Sequence, residues 1–250
     1  MVVPQLALWF FLTATLYAIV GFGGGSTYTA LLAMSDTQIW RIPLVALMCN
    51  IAVVATGSWL AVRRRAFDWR TAMPFFISSV PCAFIGGLVP LRDNVYLTLL
   101  ALSLLLAGLR LLLMQDTEPR PVAQRNTGTA LAIGAGLGFV SGMVGIGGGI
   151  FLAPVLHYLR WADSKTVAAL CSFFILVNSL AGLSGQLVKN GTAVIPDVVT
   201  FAAPLVLAVL IGGLVGGRFL LERMSHTLMR RLTAALIIFV ALRLIWQLYW

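Results

Sequence analysis

Two glycine clusters set in otherwise apolar sequence are the best candidates for chemistry in this chain. Val20-Gly21-Phe22-Gly23-Gly24-Gly25 recurs as Val144-Gly145-Ile146-Gly147-Gly148-Gly149. Glycine has no Cβ, so such a run permits a sharp helix break and close backbone approach. In lipid a broken helix leaves N–H and C=O groups unpaired, which is tolerable only against protein or a wet cavity. An apolar segment of about eleven residues follows each cluster, too short to cross a bilayer, and it reads as a re-entrant half-helix. Its first N–H groups point into the gap and carry the positive end of the helix dipole. That makes an anion site with no basic side chain. A dinucleotide fingerprint is excluded, because Ser26 and Ile150 stand where its last glycine would be.

Polar residues inside apolar runs add to the candidate set. Asn50, Ser172 and Asn178 fall in the first long span after each cluster, where polar groups face a partner or a pathway. Asn50 and Asn178 read as matched places in two repeated halves. Ser26 and Thr27 open the first half-helix, where a hydroxyl can cap the helix or touch a ligand. The expected anion-binding set is Gly23, Gly24, Gly25, Ser26, Thr27, Asn50, Gly147, Gly148, Gly149, Ser172 and Asn178. Gln186, nearer a span end, is a weaker candidate. Each residue also has a plainer reading as helix packing or an interhelical hydrogen bond.

What is missing narrows the chemistry. All eight acids (Asp36, Asp68, Asp93, Asp116, Glu118, Asp163, Asp197, Glu222) fall in loops or at span ends, so a carboxylate proton relay is unsupported. Cys49, Cys82 and Cys171 lie inside spans with no metal-ligand or disulfide spacing. His157 reads as a histidine near a span end, and His226 sits in a basic loop. No metal or cofactor is expected. No nucleophile–base pair supports an intramembrane enzyme.

The elements that position these residues must be membrane helices. Of 250 residues, 60% are apolar and 10% charged, against about 25% charged in a soluble domain. Residues 42–62, 71–91, 166–188 and 198–217 contain no Asp, Glu, Lys or Arg, and each is long enough to span as a helix. Residues 3–20 lack a basic lead and a cleavage pattern, and read as a retained helix rather than a signal peptide. The net charge of +9 fits basic residues gathered on the cytoplasmic side, not nucleic-acid binding.

The chain is a duplication. Ile85-Gly86-Gly87-Leu88-Val89 recurs at Ile211 to Val215, and Leu109-Arg110-Leu111 at Leu242 to Leu244. The expected first repeat is 1–113, the cytoplasmic linker 114–127 and the second repeat 128–250. Each half reads as a helix running into the glycines (3–20, 128–143) and a short segment (24–34, 149–159). Three spans follow (42–62, 71–91, 94–113; 166–188, 198–217, 232–250). If each glycine hairpin leaves on the side it entered, the halves are inverted. Thirteen Lys and Arg then share one side against four on the other, Arg41, Arg92, Lys189 and Arg243. The positive-inside rule favours that arrangement, with both termini outside.

The run from Val144 to Pro154 resembles the signature of the TauE/SafE family of membrane permeases, the sulfite exporters. Gly21 to Ser26, and the Ala, Ser and Asn run from Ala168 to Asn178, resemble the same signature. The resemblance covers nearly the whole chain. It implies an all-α multi-pass protein of the bacterial cytoplasmic membrane that exports sulfite or a related sulfur oxyanion or organosulfonate. Ser26-Thr27-Tyr28-Thr29 stands where the second half has an apolar run with Pro154, so the two half-sites differ chemically. The partners expected are a small anion and the bilayer. A transporter and a passive anion channel remain alternative readings.

The charge distribution generates one prediction. In a background with the native cysteines replaced, cysteines at positions 64 and 223 react with an impermeant thiol reagent from the same face of the membrane. Labelling from opposite faces would exclude inverted halves.

Overall fold

A computed structural model describes residues 3–20, 23–35, 37–113, 126–159, 161–162, 164–216 and 226–249. The linker expected at 114–127 falls almost wholly outside them. The described residues form ten α-helices and a single 3₁₀ turn, with no strand among them. The first five helices are α1 (Val3–Val20), α2 (Gly25–Ala33), α3 (Arg41–Arg63), α4 (Trp69–Leu88) and α5 (Asp93–Leu113). The second five are α6 (Thr127–Val144), α7 (Gly149–Leu159), α8 (Ser164–Asn190), α9 (Ile195–Val215) and α10 (His226–Tyr249). The protein is an all-α membrane protein. Among the described residues five helices are long and apolar enough to cross a bilayer, and shorter apolar stretches lie at Val3–Tyr17, Ala72–Leu88 and Ile237–Trp246.

The helix ends follow local chemistry. Asn126 caps α6 by accepting the Gly128 and Thr129 amides, the expected use of an N-cap side chain. Gly145 ends α6 in the left-handed conformation, its amide donating to the Ser141 carbonyl. Pro196 sits in the first turn of α9, where a missing N–H costs nothing. With the 3₁₀ turn at Thr192–Val194, it starts α9 three residues earlier than 198. α10 likewise begins at His226 rather than 232. At 1.5 Å per residue α2 and α7 are only about 14 and 17 Å long, roughly half a hydrocarbon core.

The packing exchanges helices between halves. α1 packs along α9, and α6 packs along α4, so the first helix of each half lies on the fourth helix of the other. α3 packs on α8 and α5 on α10, equivalent on equivalent. Small residues let these backbones touch. Gly134, Gly138 and Gly142 of α6 meet Phe75, Ser79 and Ala83 of α4 in turn, so the two helices run parallel. Gly212 and Gly216 of α9 meet Phe11 and Thr15 of α1 in the same sense. Between α3 and α8 the order reverses: Gly57 lies by Ser172 and Leu47 by Gly182. α3 and α8 are therefore antiparallel where they cross.

Burial divides an apolar rim from a partly polar interior. Leu8, Ile77, Leu106, Leu207 and Phe239 face outward on α1, α4, α5, α9 and α10, a surface suited to lipid and a liability in water. Asn50, Ser58, Ser79, Ser141, Asn178, Ser179 and Gln186 are buried. At one end Arg63, Arg64, Arg65 and Arg70 are exposed, beside an aromatic cluster of Phe67, Trp69, Phe76 and Phe173. At the other, Arg41 pairs with Asp197 at 2.7 Å, joining the starts of α3 and α9.

The close approach of α4 and α6 predicts a contrast. A methyl on Gly142 would be driven into the Ala83 carbonyl, whereas one on Gly136 meets nothing within 4 Å. Gly142→Ala destabilises the protein by about 1–3 kcal/mol, and Gly136→Ala is neutral or stabilising by up to about 1 kcal/mol. Thermal unfolding of the detergent-solubilised variants checks both signs.

Candidate functional site

The two glycine breaks are built alike. Gly24 and Gly148 occupy equivalent places with φ of 77° and 80°, in the left-handed region that disfavours a side chain. The Gly24 carbonyl accepts the amides of Thr27 and Tyr28 at 3.0 Å each, and the Gly148 carbonyl those of Phe151 and Leu152 at 3.1 Å each. A Cβ at either glycine would stand 2.8 Å from an aromatic carbon, in Tyr28 and Phe174 respectively. The local loop therefore admits only glycine without rearrangement.

The breaks meet at mid-height of α3 and α8. Where a Cβ on Gly23 would stand, Asn50 Oδ1 lies at 2.9 Å, Val54 at 3.0 Å and Ile175 at 3.2 Å. At Gly147 the neighbours are Asn50 Nδ2 at 2.9 Å, Ile175 at 2.9 Å and Ser179 Oγ at 3.1 Å. Gly25, the first residue of α2, lies against Asn50 and the Ile146 carbonyl, and Gly149, the first of α7, against Ile175. The starts of both half-helices thus share one small region, and their partial positive charges point toward it.

The orphan carbonyls at the end of α6 are met one by one. Gln186 Nε2 donates to Gly142 at 3.0 Å, Tyr96 Oη to Val144 at 3.0 Å, and Asn50 Nδ2 to Ile146 at 3.1 Å. At the other break, Tyr17 Oη lies 3.3 Å from Ser26 Oγ and 2.9 Å from Thr27 Oγ1. Both hydroxyls opening α2 are thereby tied to α1. Thr29 Oγ1 donates back to the Gly25 and Ser26 carbonyls.

The residues singled out from sequence do not all converge. Gly23, Gly25 and Gly147 lie against Asn50, and Gly23, Gly147 and Gly149 against Ile175; Gly24 and Gly148 shape the two loops, and Ser26 and Thr27 follow on α2. Ser172 lies against Gly57, one turn along α8 from Ile175. Asn178 Nδ2 donates to the Phe174 carbonyl of its own helix at 2.8 Å. The matching of Asn50 with Asn178 is corrected here. Asn50 stands to Gly23 and Gly25 as Ile175 stands to Gly147 and Gly149, so the place equivalent to Asn50 is apolar. Sequence reasoning missed Tyr17, Tyr96, Ile175 and Ser179. For Ser179, a hydroxyl one turn from Ile175 in an apolar run was a usable signal; for Ile175 there was none.

Several buried polar atoms near the breaks have no hydrogen-bond partner among the described residues. These include Asn50 Oδ1, Asn178 Oδ1, Gln186 Oε1, Ser141 Oγ and Ser179 Oγ. No group of His, Cys, Asp and Glu suited to a metal ion occurs among the described residues.

A match to the family described as sulfite exporter TauE/SafE extends over residues 6–244. The chain belongs to the TauE/SafE family. A probable membrane transporter protein, y4hK, of Sinorhizobium fredii is 33% identical over 96% of this chain and 97% of its own. The probable membrane transporter protein YunE of Bacillus subtilis is 27% identical, covering 72% and 76%. A probable membrane transporter protein of Xylella fastidiosa is 24% identical, covering 90% and 88%. No solved structure matches. This TauE/SafE chain is a multi-pass membrane transporter and not an enzyme.

The Tyr17 contacts generate a prediction. Tyr17→Phe strips a shared partner from two buried hydroxyls, which costs about 1–3 kcal/mol. The check is a lowered unfolding temperature that Ser26→Ala in the same background partly restores.

Proposed function

We propose that this transporter exports a small anion, sulfite or a related sulfur oxyanion or organosulfonate, held between the starts of α2 and α7. The observation that carries the reading is the convergence of Gly25 and Gly149 on one buried region around Asn50 and Ile175. Two helix N-termini aimed at one place favour negative charge without any basic side chain. Gly23, Gly24, Gly25, Gly147, Gly148 and Gly149 supply close backbone approach. Ser26, Thr27, Asn50, Ser172 and Asn178 form the polar surroundings, and Ser179 joins them. The family name and the resemblance of the glycine runs supply the sulfur oxyanion.

The same reading takes residues 1–113 and 128–250 as inverted repeats joined by a cytoplasmic linker at 114–127, in the bacterial inner membrane. Antiparallel packing of α3 on α8 supports the inversion. With the termini outside, Arg63, Arg64, Arg65 and Arg70 face the cytoplasm, as the positive-inside rule requires.

Export needs no acidic relay, because the inside-negative potential drives an anion outward. That drive is about 2.3 kcal/mol per charge per 100 mV, roughly a fiftyfold concentration ratio. Proteoliposomes loaded with radiolabelled sulfite, under a potassium–valinomycin potential, test the reading. Efflux rises with the potential and saturates with sulfite. Asn50→Ala weakens apparent affinity about tenfold, and Gly148→Val abolishes flux while the protein still inserts. Wild-type flux through Gly148→Val would refute the half-helix site, and efflux that ignores potential but follows a pH gradient would refute the driving force. Non-saturating flux would identify a channel.

A further inference from the structure

The buried amides near the breaks share one habit. Asn50 donates its Nδ2 to Ile146, Asn178 to Phe174 and Gln186 to Gly142, and each leaves its own oxygen without a partner among the described residues. The carbonyls they cap fix which way the amides point, since reversing any one would set oxygen against oxygen. The Asn50 oxygen lies against Gly23 and Gly25, where α2 begins. Asn50 is fully buried, and Oδ1 stands 2.9 and 2.8 Å from the places a Cβ on Gly23 and Gly25 would take.

An acceptor set between two helix starts makes contradictory demands on a ligand. The helix amides call for a negatively charged oxygen, and the Asn50 oxygen calls for a hydrogen-bond donor. A bare cation would satisfy Asn50 but is repelled by both dipoles. A fully ionised oxyanion satisfies the dipoles but sets its charge against the Asn50 lone pairs. The simplest group that meets both demands is an oxyanion that keeps one acidic hydrogen. We infer that the transported species is a monoanion carrying its own hydroxyl, hydrogensulfite rather than sulfite dianion, and that Asn50 Oδ1 reads that hydroxyl. The inference rests on the anion reading above and narrows it to a protonation state. A proton then leaves with each anion although no titratable side chain takes part.

The test compares hydrogensulfite with methanesulfinate, which has the same charge and pyramidal shape but carries a methyl in place of the hydroxyl. Each unlabelled anion competes against radiolabelled sulfite efflux from proteoliposomes, without oxygen and at a slightly acidic pH where the monoanion dominates. A site that reads the hydroxyl favours hydrogensulfite by about tenfold or more, because the analogue leaves Asn50 unpaired. In Asn50→Leu that ratio falls toward one. The wild-type ratio stands alone should the variant fail to fold. Equal competition by the two anions overturns the inference and leaves the anion site intact, with water satisfying Asn50. Absence of saturable sulfite efflux overturns both.

Discussion

A backbone polar group inside a bilayer has no water to fall back on, and the rest of this molecule is arranged around that constraint. A continuous helix satisfies it internally. Breaking α6 at Gly145 releases carbonyls that must find donors elsewhere. Gln186, Tyr96 and Asn50 supply them from three other helices. α3, α5 and α8 are thus held in place partly by the need to cap one helix end, and the amides of α2 and α7 remain directed at a common region. The break creates the candidate site, and its repair orders the bundle around it.

Asn50 joins a structural role to the recognition role proposed for it. Its nitrogen serves the Ile146 carbonyl, and its oxygen faces the glycines. Ile175, in the equivalent place of the other half, can do neither. The two glycine breaks therefore have similar backbones and an unequal pair of side chains. Gly23 and Gly147 differ in the same way: Gly147 is left-handed at φ 86°, and Gly23 is not.

Much of this was legible in the sequence, for identifiable reasons. The glycine runs marked the breaks, and α7 was expected at 149–159, where it lies. α2 and α6 were placed within one residue at each end, because the glycine clusters punctuate them. Long stretches without charge located α3, α4, α8 and α9. The exchange of α1 and α6 between halves was not legible, since periodicity shows which face of a helix is small or apolar but not which distant helix will cover it. The Asn50–Asn178 matching failed for a related reason. Residue type suggested equivalence, whereas equivalence is set by position relative to the glycines, and there Ile175 corresponds. Tyr17 and Tyr96 act through contacts of 9 to 48 residues' separation, and nothing in their local sequence announces them.

The exchange of first helices has a consequence for how the protein is made. α1 is synthesised first, yet the helix it packs along, α9, begins only at Ile195. At about 5–20 residues per second, α1 waits in the membrane for roughly ten to forty seconds with its partner unmade. α4 waits a shorter time for α6. During that interval α1, and the hydroxyl-rich start of α2 with it, has no settled neighbour along the face that Gly212 and Gly216 will later touch. The N-terminal half is therefore not a finished folding unit when it leaves the ribosome. The same interlocking also suggests an ancestry in which two separate copies of a half once closed around each other, before one chain carried both.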